Sequence, residues 1–298
     1  MIEFKDITLQ DKASITSFTM NSHRRNCDLS FSNLCSWRFL YGTKFAIVDN
    51  FLLFKFHSEG KLAYMMPVGK GDFRSIVEKL EEDARQEGET FRMLGTCSGA
   101  CTELETAMPD KFIYTSDRNY ADYVYLRTDL ATLKGKKFQS KRNHINKFKK
   151  EYDYSYVPIT PDRIQECIEL EARWWKMNNK IDGTRNEQKA IIYALEHFEE
   201  IGLTGGMLYA NGEVVAFTFG MPINNETFGV HVEKANADID GAYAMINYEF
   251  SNRIPEQFTY INREEDLGIE GLRKAKLSYQ PTIILEKHMV YLKNQEDI

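Results

Sequence analysis

No stretch of this sequence approaches the run of roughly 20 apolar residues that a membrane-crossing helix needs. The start, MIEFKDITLQDK, carries charge too early for a signal peptide, so the expected location is the cytoplasm. Cysteine is sparse and odd in number: Cys27, Cys35, Cys97, Cys101 and Cys167. Without paired spacing these do not make a disulfide framework. Cys97 and Cys101 have no matching Cys or His pair elsewhere, so no metal is expected and the thiols read as buried. A Ser/His/Asp hydrolase signature, a P-loop and metal-ligand spacing are also missing. No Pro/Gly/Ser-rich linker marks a boundary, so the two halves of the chain should pack closely.

What remains is ordinary globular composition, with 43% hydrophobic and 28% charged residues among 298. That length fits two domains of roughly 130–150 residues. The net charge of −6 hides an asymmetry. Between 134 and 150 there are eight Lys or Arg and no Asp or Glu; the other 30 basic residues face 44 acidic ones, a net of −14. One basic segment on an acidic body points to a localised partner.

Hydrophobic periodicity predicts an α+β chain. Strands are expected near 44–49, 51–57 and 61–67, and RSIVEKLEEDARQEG reads as an amphipathic helix. QSKRNHINKFKKEY has Ile145, Phe148 and Tyr152 at helical spacing. Thr160 and Pro161 start the next helix. TGGMLYANG, EVVAFTFGMP and ETFGVHVEK follow as strands, with Asn211-Gly212 as the strongest hairpin signal. AYAMINYEFSNRI is a helix, QFTYIN a strand, GLRKAKLS a helix and TIILEKHMVYL a single final strand. Each half thus shows helices, an antiparallel meander and a helix–strand pair. The expected division is 1–130 and 131–298, with the active site in the second part.

Two places carry chemistry. After ETFGVHVEK, a short loop precedes a helix, an arrangement that aims backbone N–H groups at phosphate. Asp240 is a plausible N-cap there, and Gly241 and Ala242 admit close approach of a ligand. A capped helix with no ligand explains the same residues. Further on, QFTYIN ends in Asn262, Arg263, Glu264, Glu265 and Asp266, a polar cluster at a strand's C-terminal end. Arg273 and Lys276 then share a helix face and suit a phosphate or carboxylate, or else form a solvated basic stripe.

This order of elements resembles the GCN5-related N-acetyltransferase (GNAT) fold. LKGKKFQSKRNHINKFKKEY, GEVVAFTFG, VEKA…GAY…N and NREEDLGIEGLRKAKLSYQP together look like the C-terminal domain of phosphatidylglycerol lysyltransferases (the DUF2156 group), cousins of the Fem-type transferases. The resemblance implies tandem GNAT-like domains, with mixed, mostly antiparallel sheets flanked by helices. It implies transfer of an aminoacyl group from aminoacyl-tRNA, or an acyl group from acyl-CoA, to an amine or hydroxyl acceptor, with no tightly bound cofactor and a peripheral membrane contact. The GNAT phosphate loop maps onto Asp238-x-x-Gly241-x-Tyr243, without its usual basic residue.

In that frame Glu233 is the expected base, Asp266 binds an amine and Tyr279 is the acid. Asp240, Gly241, Ala242, Tyr243, Arg273 and Lys276 hold the donor. His231, Asn262, Lys141 and Arg142 contact substrate. His231 and Glu233, two apart on a strand, are expected on one face. The alternative to an enzyme is a non-catalytic RNA- or nucleotide-binding module that keeps the fold.

Overall fold

The computed structural model describes residues 2–178 and 183–293. Its strands, in chain order, are β1 (Lys5–Asp6), β2 (Lys44–Val48), β3 (Phe51–Ser58), β4 (Lys61–Tyr64), β5 (Val68–Gly69), β6 (Arg92–Cys97) and β7 (Phe112–Ser116). Then come β8 (Asp122–Leu126), β9 (Tyr154–Pro158), β10 (Thr204–Ala210), β11 (Glu213–Pro222), β12 (Thr227–Ala235), β13 (Tyr260–Asn262), β14 (Ile283–Leu285) and β15 (Lys287–Leu292). One sheet has the order β1-β2-β3-β4-β6-β15-β7, with β5 paired to β3; the other runs β14-β8-β13-β12-β11-β10-β9. Among the described residues, the β4–β6 and β12–β13 pairs are parallel and the other strand pairs antiparallel.

The expected division at 130 is crossed twice. β8 lies in the second sheet, and β15, the last strand, inserts between β6 and β7 of the first. What the alternation presents as one final strand is broken at Glu286, with β14 on β8 and β15 on β6 and β7. The two sheets are therefore tied by chain passing from one to the other.

Alternation explains the layers. Along β3, Leu52 and Phe54 enter one core and Phe51 and Leu53 another, because successive side chains leave opposite faces. The core beneath Leu52 also contains Met207, Phe217 and Phe219 of the second sheet, so one hydrophobic body fills the space between the sheets. A further core on the far side of the second sheet takes Ile145 and Phe148 from the helix Gln139–Glu151, and Met245, Ile246 and Phe250 from the helix Ala242–Arg253. Asn211 and Gly212 both adopt positive φ, as the two-residue hairpin between β10 and β11 requires. The aromatic-rich stretch after Ser30 forms two short helices, Phe31–Ser36 and Arg38–Tyr41, and Ser30 caps the first by accepting from Asn33 N. Among the described residues no helix is long and apolar enough to cross a membrane.

Candidate functional site

β12 and β13 run together only over Thr227–Gly229 against Tyr260–Asn262. Beyond that, β12 continues to Ala235 while β13 ends, so the two strands part and leave a fork. Its rims are joined by two acid–base pairs. Glu233 Oε1 accepts from Arg263 Nη2 at 2.8 Å, and His231 Nδ1 lies 2.8 Å from Glu264 Oε1.

These pairs are on opposite sides of the strand, against the expectation that His231 and Glu233 share a face. The cause is a bulge. Val230 opposes Gly220 and Val232 opposes Phe219, which leaves His231 as an extra residue and resets the alternation. Val230 accordingly packs in the core on the far side of the second sheet, and Val232 against the core between the sheets. Glu233 Oε2 accepts from Asn247 of the helix Ala242–Arg253. His231 instead lies over Gly229, where an added Cβ would come within 2.8 Å of its ring. Its partner Glu264 also accepts from Asn33 Nδ2 at 2.8 Å.

Three polar atoms beside the fork have no hydrogen-bond partner among the described residues: Arg263 Nη1 and Asn247 Oδ1 on the side of Glu233, and His231 Nε2 on the side of Glu264. In the neutral imidazole, Nδ1 donating to this carboxylate leaves Nε2 as the acceptor nitrogen. Aromatic rings fix the guanidinium. Arg263 stands 4.8 Å from the Tyr279 ring and 5.7 Å from Tyr125, and Lys141 Nζ also lies 4.0 Å over the Tyr279 ring. Burial, reinforced by Arg263, lowers Lys141 to about 8, and burial pushes the Tyr279 phenol above its usual range.

The other expected site residues are engaged elsewhere. Asp266 is fully buried and accepts from Arg273 Nε and Nη2, each at 2.8 Å, from Tyr123 Oη at 2.5 Å and from Gly268 N at 2.8 Å. These bonds overcome the cost of burial and hold its carboxyl down at about 2. Arg273 also donates to Asn119 Oδ1. Lys276 points inward and donates to the carbonyls of Arg263, at 2.5 Å, and Glu265. Asn262 donates to Asp122 Oδ2 and to the Arg25 carbonyl. Arg142 caps its own surroundings through Leu133 and Gly135 carbonyls. The supposed basic stripe on the helix Glu270–Leu277 is thus turned into the protein.

The loop before the helix Ala242–Arg253 is covered. Asp240 pairs with Lys147 at 2.7 Å and lies 3.2 Å from His144 Nδ1. Gly241 has φ +84°, and a Cβ there would sit 2.7 Å from the His144 carbonyl oxygen. Ala242 is fully buried, and Tyr243 Oη accepts from Trp174 Nε1 at 3.0 Å.

A second polar cluster was invisible in the sequence because four distant segments build it. Lys287 of β15 lies 2.9 Å from Asp122 Oδ1 and 3.1 Å from Asp28 Oδ2, and also contacts Glu265. Cys27 N donates to Asp122 Oδ2 at 2.8 Å. Cys27, Asp122 and Glu265 are spaced closely enough for a metal ion, yet the Lys287 ammonium already supplies the positive charge among them. Burial, with Glu265 and Asp28 nearby, raises Asp122 to about 7 against the pull of Lys287.

The parted strands and paired sheets define the class. The tandem GNAT protein of the clavulanic acid biosynthesis pathway is 11% identical, with all of both chains covered and a TM-score of 0.52. The C-terminal domain (DUF2156) of a putative lysylphosphatidylglycerol synthetase from Agrobacterium fabrum is 12% identical, with a TM-score of 0.69 over 96% of this chain and 92% of that one. The fold is the tandem GNAT-like one. The family model described as phosphatidylglycerol lysyltransferase, C-terminal, matches residues 19–291, and the chain belongs to that family. A conserved protein of unknown function from Bacteroides thetaiotaomicron is 69% identical, with a TM-score of 0.97 over 98% of this chain and 100% of that one. A curated, uncharacterised relative from Mycoplasmoides gallisepticum is 25% identical over 194 residues, covering 63% of this chain; the chain thus spans 61% of that relative's length.

Proposed function

We propose that this chain transfers an aminoacyl group from aminoacyl-tRNA to a hydroxyl acceptor at the β12–β13 fork. Lysyl-tRNA and phosphatidylglycerol are the first pair to test, because the family is that of phosphatidylglycerol lysyltransferase. The observation that carries the reading is the trio of unpaired atoms, His231 Nε2, Arg263 Nη1 and Asn247 Oδ1. Buried polar atoms without partners are uncommon, and here a base on one side of β12 and a donor and an acceptor on the other flank the opening between the parted strands.

In this reading the acceptor oxygen attacks the aminoacyl carbonyl carbon while His231 Nε2 takes its proton. Arg263 Nη1 donates to the oxygen that becomes negative, and the Lys141 ammonium adds positive charge nearby. Collapse breaks the bond to the terminal ribose oxygen, which receives the proton back from Nε2. Glu264 and Glu233 are then positioning residues for His231 and Arg263. Glu233 thereby passes the role of base to His231, and Asp266 and Arg273 brace the loop rather than meet substrate.

The donor follows from the loop at Asp240 and Gly241. The Asp240 carboxylate, paired with Lys147, and the His144 carbonyl of the helix Gln139–Glu151 stand against Gly241, where a CoA pyrophosphate needs N–H groups and space. Outward on that helix, Lys149 and Lys150 are exposed and suit RNA phosphates. The test compares transfer of label from lysyl-tRNA and from acetyl-CoA to phosphatidylglycerol vesicles. Transfer from lysyl-tRNA alone is expected; transfer from acetyl-CoA alone refutes the donor assignment.

A further inference from the structure

Lysines in a folded protein are usually either solvated or tied to a carboxylate. Segment 134–150 supplies both kinds. Lys137 reaches Asp129 at 2.8 Å and Lys147 reaches Asp240 at 2.7 Å, while Lys136 and Lys150 are exposed. Lys141 is neither. It is half-buried, and its Nζ stands 4.0 Å over the ring of the buried Tyr279. No carboxylate pairs with it among the described residues. The charge beside it is the like charge of Arg263, whose guanidinium lies 4.8 Å from the same ring. Glu233 favours the Lys141 ammonium from a distance, but its oxygens are held by Arg263 Nη2 and Asn247 Nδ2. Lys276 is also lowered by burial, yet it is sealed against the carbonyls of Arg263 and Glu265.

Desolvation and a neighbouring cation are the two settings that make a lysine nucleophilic, because both favour the neutral amine. Here they act together and hold Lys141 at about 8. At pH 7 about a tenth of such amines are neutral, against fewer than about one in a thousand for an ordinary lysine near 10.4. The weaker base is also a weaker nucleophile, which returns part of that advantage and leaves a gain of about tenfold. Arg263 Nη1, without a partner among the described residues, is a donor for the oxyanion of an acyl group placed over the same ring.

We propose that Lys141 is an acylation site, taking an activated acyl group from an aminoacyl ester held at the fork or from a small acyl phosphate. The amine lone pair attacks the carbonyl carbon and forms the amide bond. The bond from that carbon to the leaving ribose or phosphate oxygen breaks with its electron pair, and a proton from the amine passes to that oxygen. The product is neutral, so the modification removes the positive charge beside Arg263. Acylation from an aminoacyl ester rests on the transfer reading; acylation from an acyl phosphate does not. The test incubates the full chain at pH 7 with acetyl phosphate or with lysyl-tRNA and follows each lysine by peptide mass spectrometry. From acetyl phosphate, Lys141 should be modified about tenfold faster than Lys136 and Lys150. That preference should shrink as pH rises towards 10, where ordinary lysines also lose their proton, and should vanish in urea. From lysyl-tRNA, the lysyl group should appear on Lys141. Label from acetyl phosphate without label from lysyl-tRNA keeps the inference and counts against the donor reading, so the two failures are separable. No preference for Lys141 from either donor, or an acetyl preference that stays constant up to pH 10, overturns the inference.

Discussion

Glu171 is fully buried in the helix Ile164–Asn178, and neither of its carboxylate oxygens has a hydrogen-bond partner among the described residues. The nearby Lys234 is spoken for, 2.9 Å from Glu187 and stacked 3.3 Å over the Trp174 ring. Burial dominates, and Glu187 adds to it, so the Glu171 carboxyl is raised from 4.5 to about 7 despite the pull of Lys234. A shift of that size makes ionisation in the folded state cost about 3 kcal/mol. The sign follows from proton counting. Between pH 4.5 and 7 the folded chain holds a proton that the unfolded chain releases, so this group lowers stability as pH rises through that window. Below 4.5 the penalty is absent; above 7 it is complete. Glu171→Gln keeps the shape and removes the ionisation. Relative to wild type it should therefore gain stability on going from pH 5 to pH 8, by up to about 3 kcal/mol, or roughly 5 °C in Tm for a chain of this size. Urea or thermal unfolding of both proteins at the two pH values measures the difference and cancels every other titrating group. A difference that is the same at both pH values, or that moves against the variant at pH 8, would mean a charged and satisfied Glu171 and would refute the reasoning.

Asp266→Asn should destabilise the protein by about 3 kcal/mol at pH 7, because it leaves Arg273 without its carboxylate. The Asp266 carboxyl is lowered to about 2, so its stabilisation is present above pH 3.8 and the gap to wild type should close as pH falls from there through 2. Gly241→Ala places a Cβ 2.7 Å from the His144 carbonyl oxygen at positive φ; a loss of about 2 kcal/mol in chemical denaturation is expected. For Lys141, lowered to about 8, transfer should decline as pH rises through 8 and its ammonium is lost. Lys141→Met should be slower and should lack that limb of the rate profile.

Much of the fold was legible because it rests on local patterns. The meander from β10 to β12 follows from alternation and Asn211-Gly212, and the helix Gln139–Glu151 from Ile145 and Phe148. The break at Glu286 was not legible, since TIILEKHMVYL alternates straight through it and only tertiary pairing divides it between sheets. The bulge at His231 was hidden for a similar reason: a one-residue insertion relative to β11 leaves no mark in β12 itself. At the site, the stretch 262–281 did contain Arg263, Glu264 and Tyr279, but composition could not sort them. Asp266 and Arg273 turned out to satisfy each other, while Arg263, named only as part of the polar cluster, faces the fork. Glu171 gave no sign in the sequence beyond an acidic residue among apolar ones, and Lys287 gave none beyond a lysine at the start of a strand.

The most direct test of the central claim is the single-turnover rate of lysyl transfer from lysyl-tRNA to phosphatidylglycerol by wild type, His231→Gln and Arg263→Lys. Losses of roughly 10²–10⁴ for the first substitution and 10²–10³ for the second are expected, with folding intact. Robust wild-type transfer that both variants retain at near-normal rates would contradict chemistry at the β12–β13 fork.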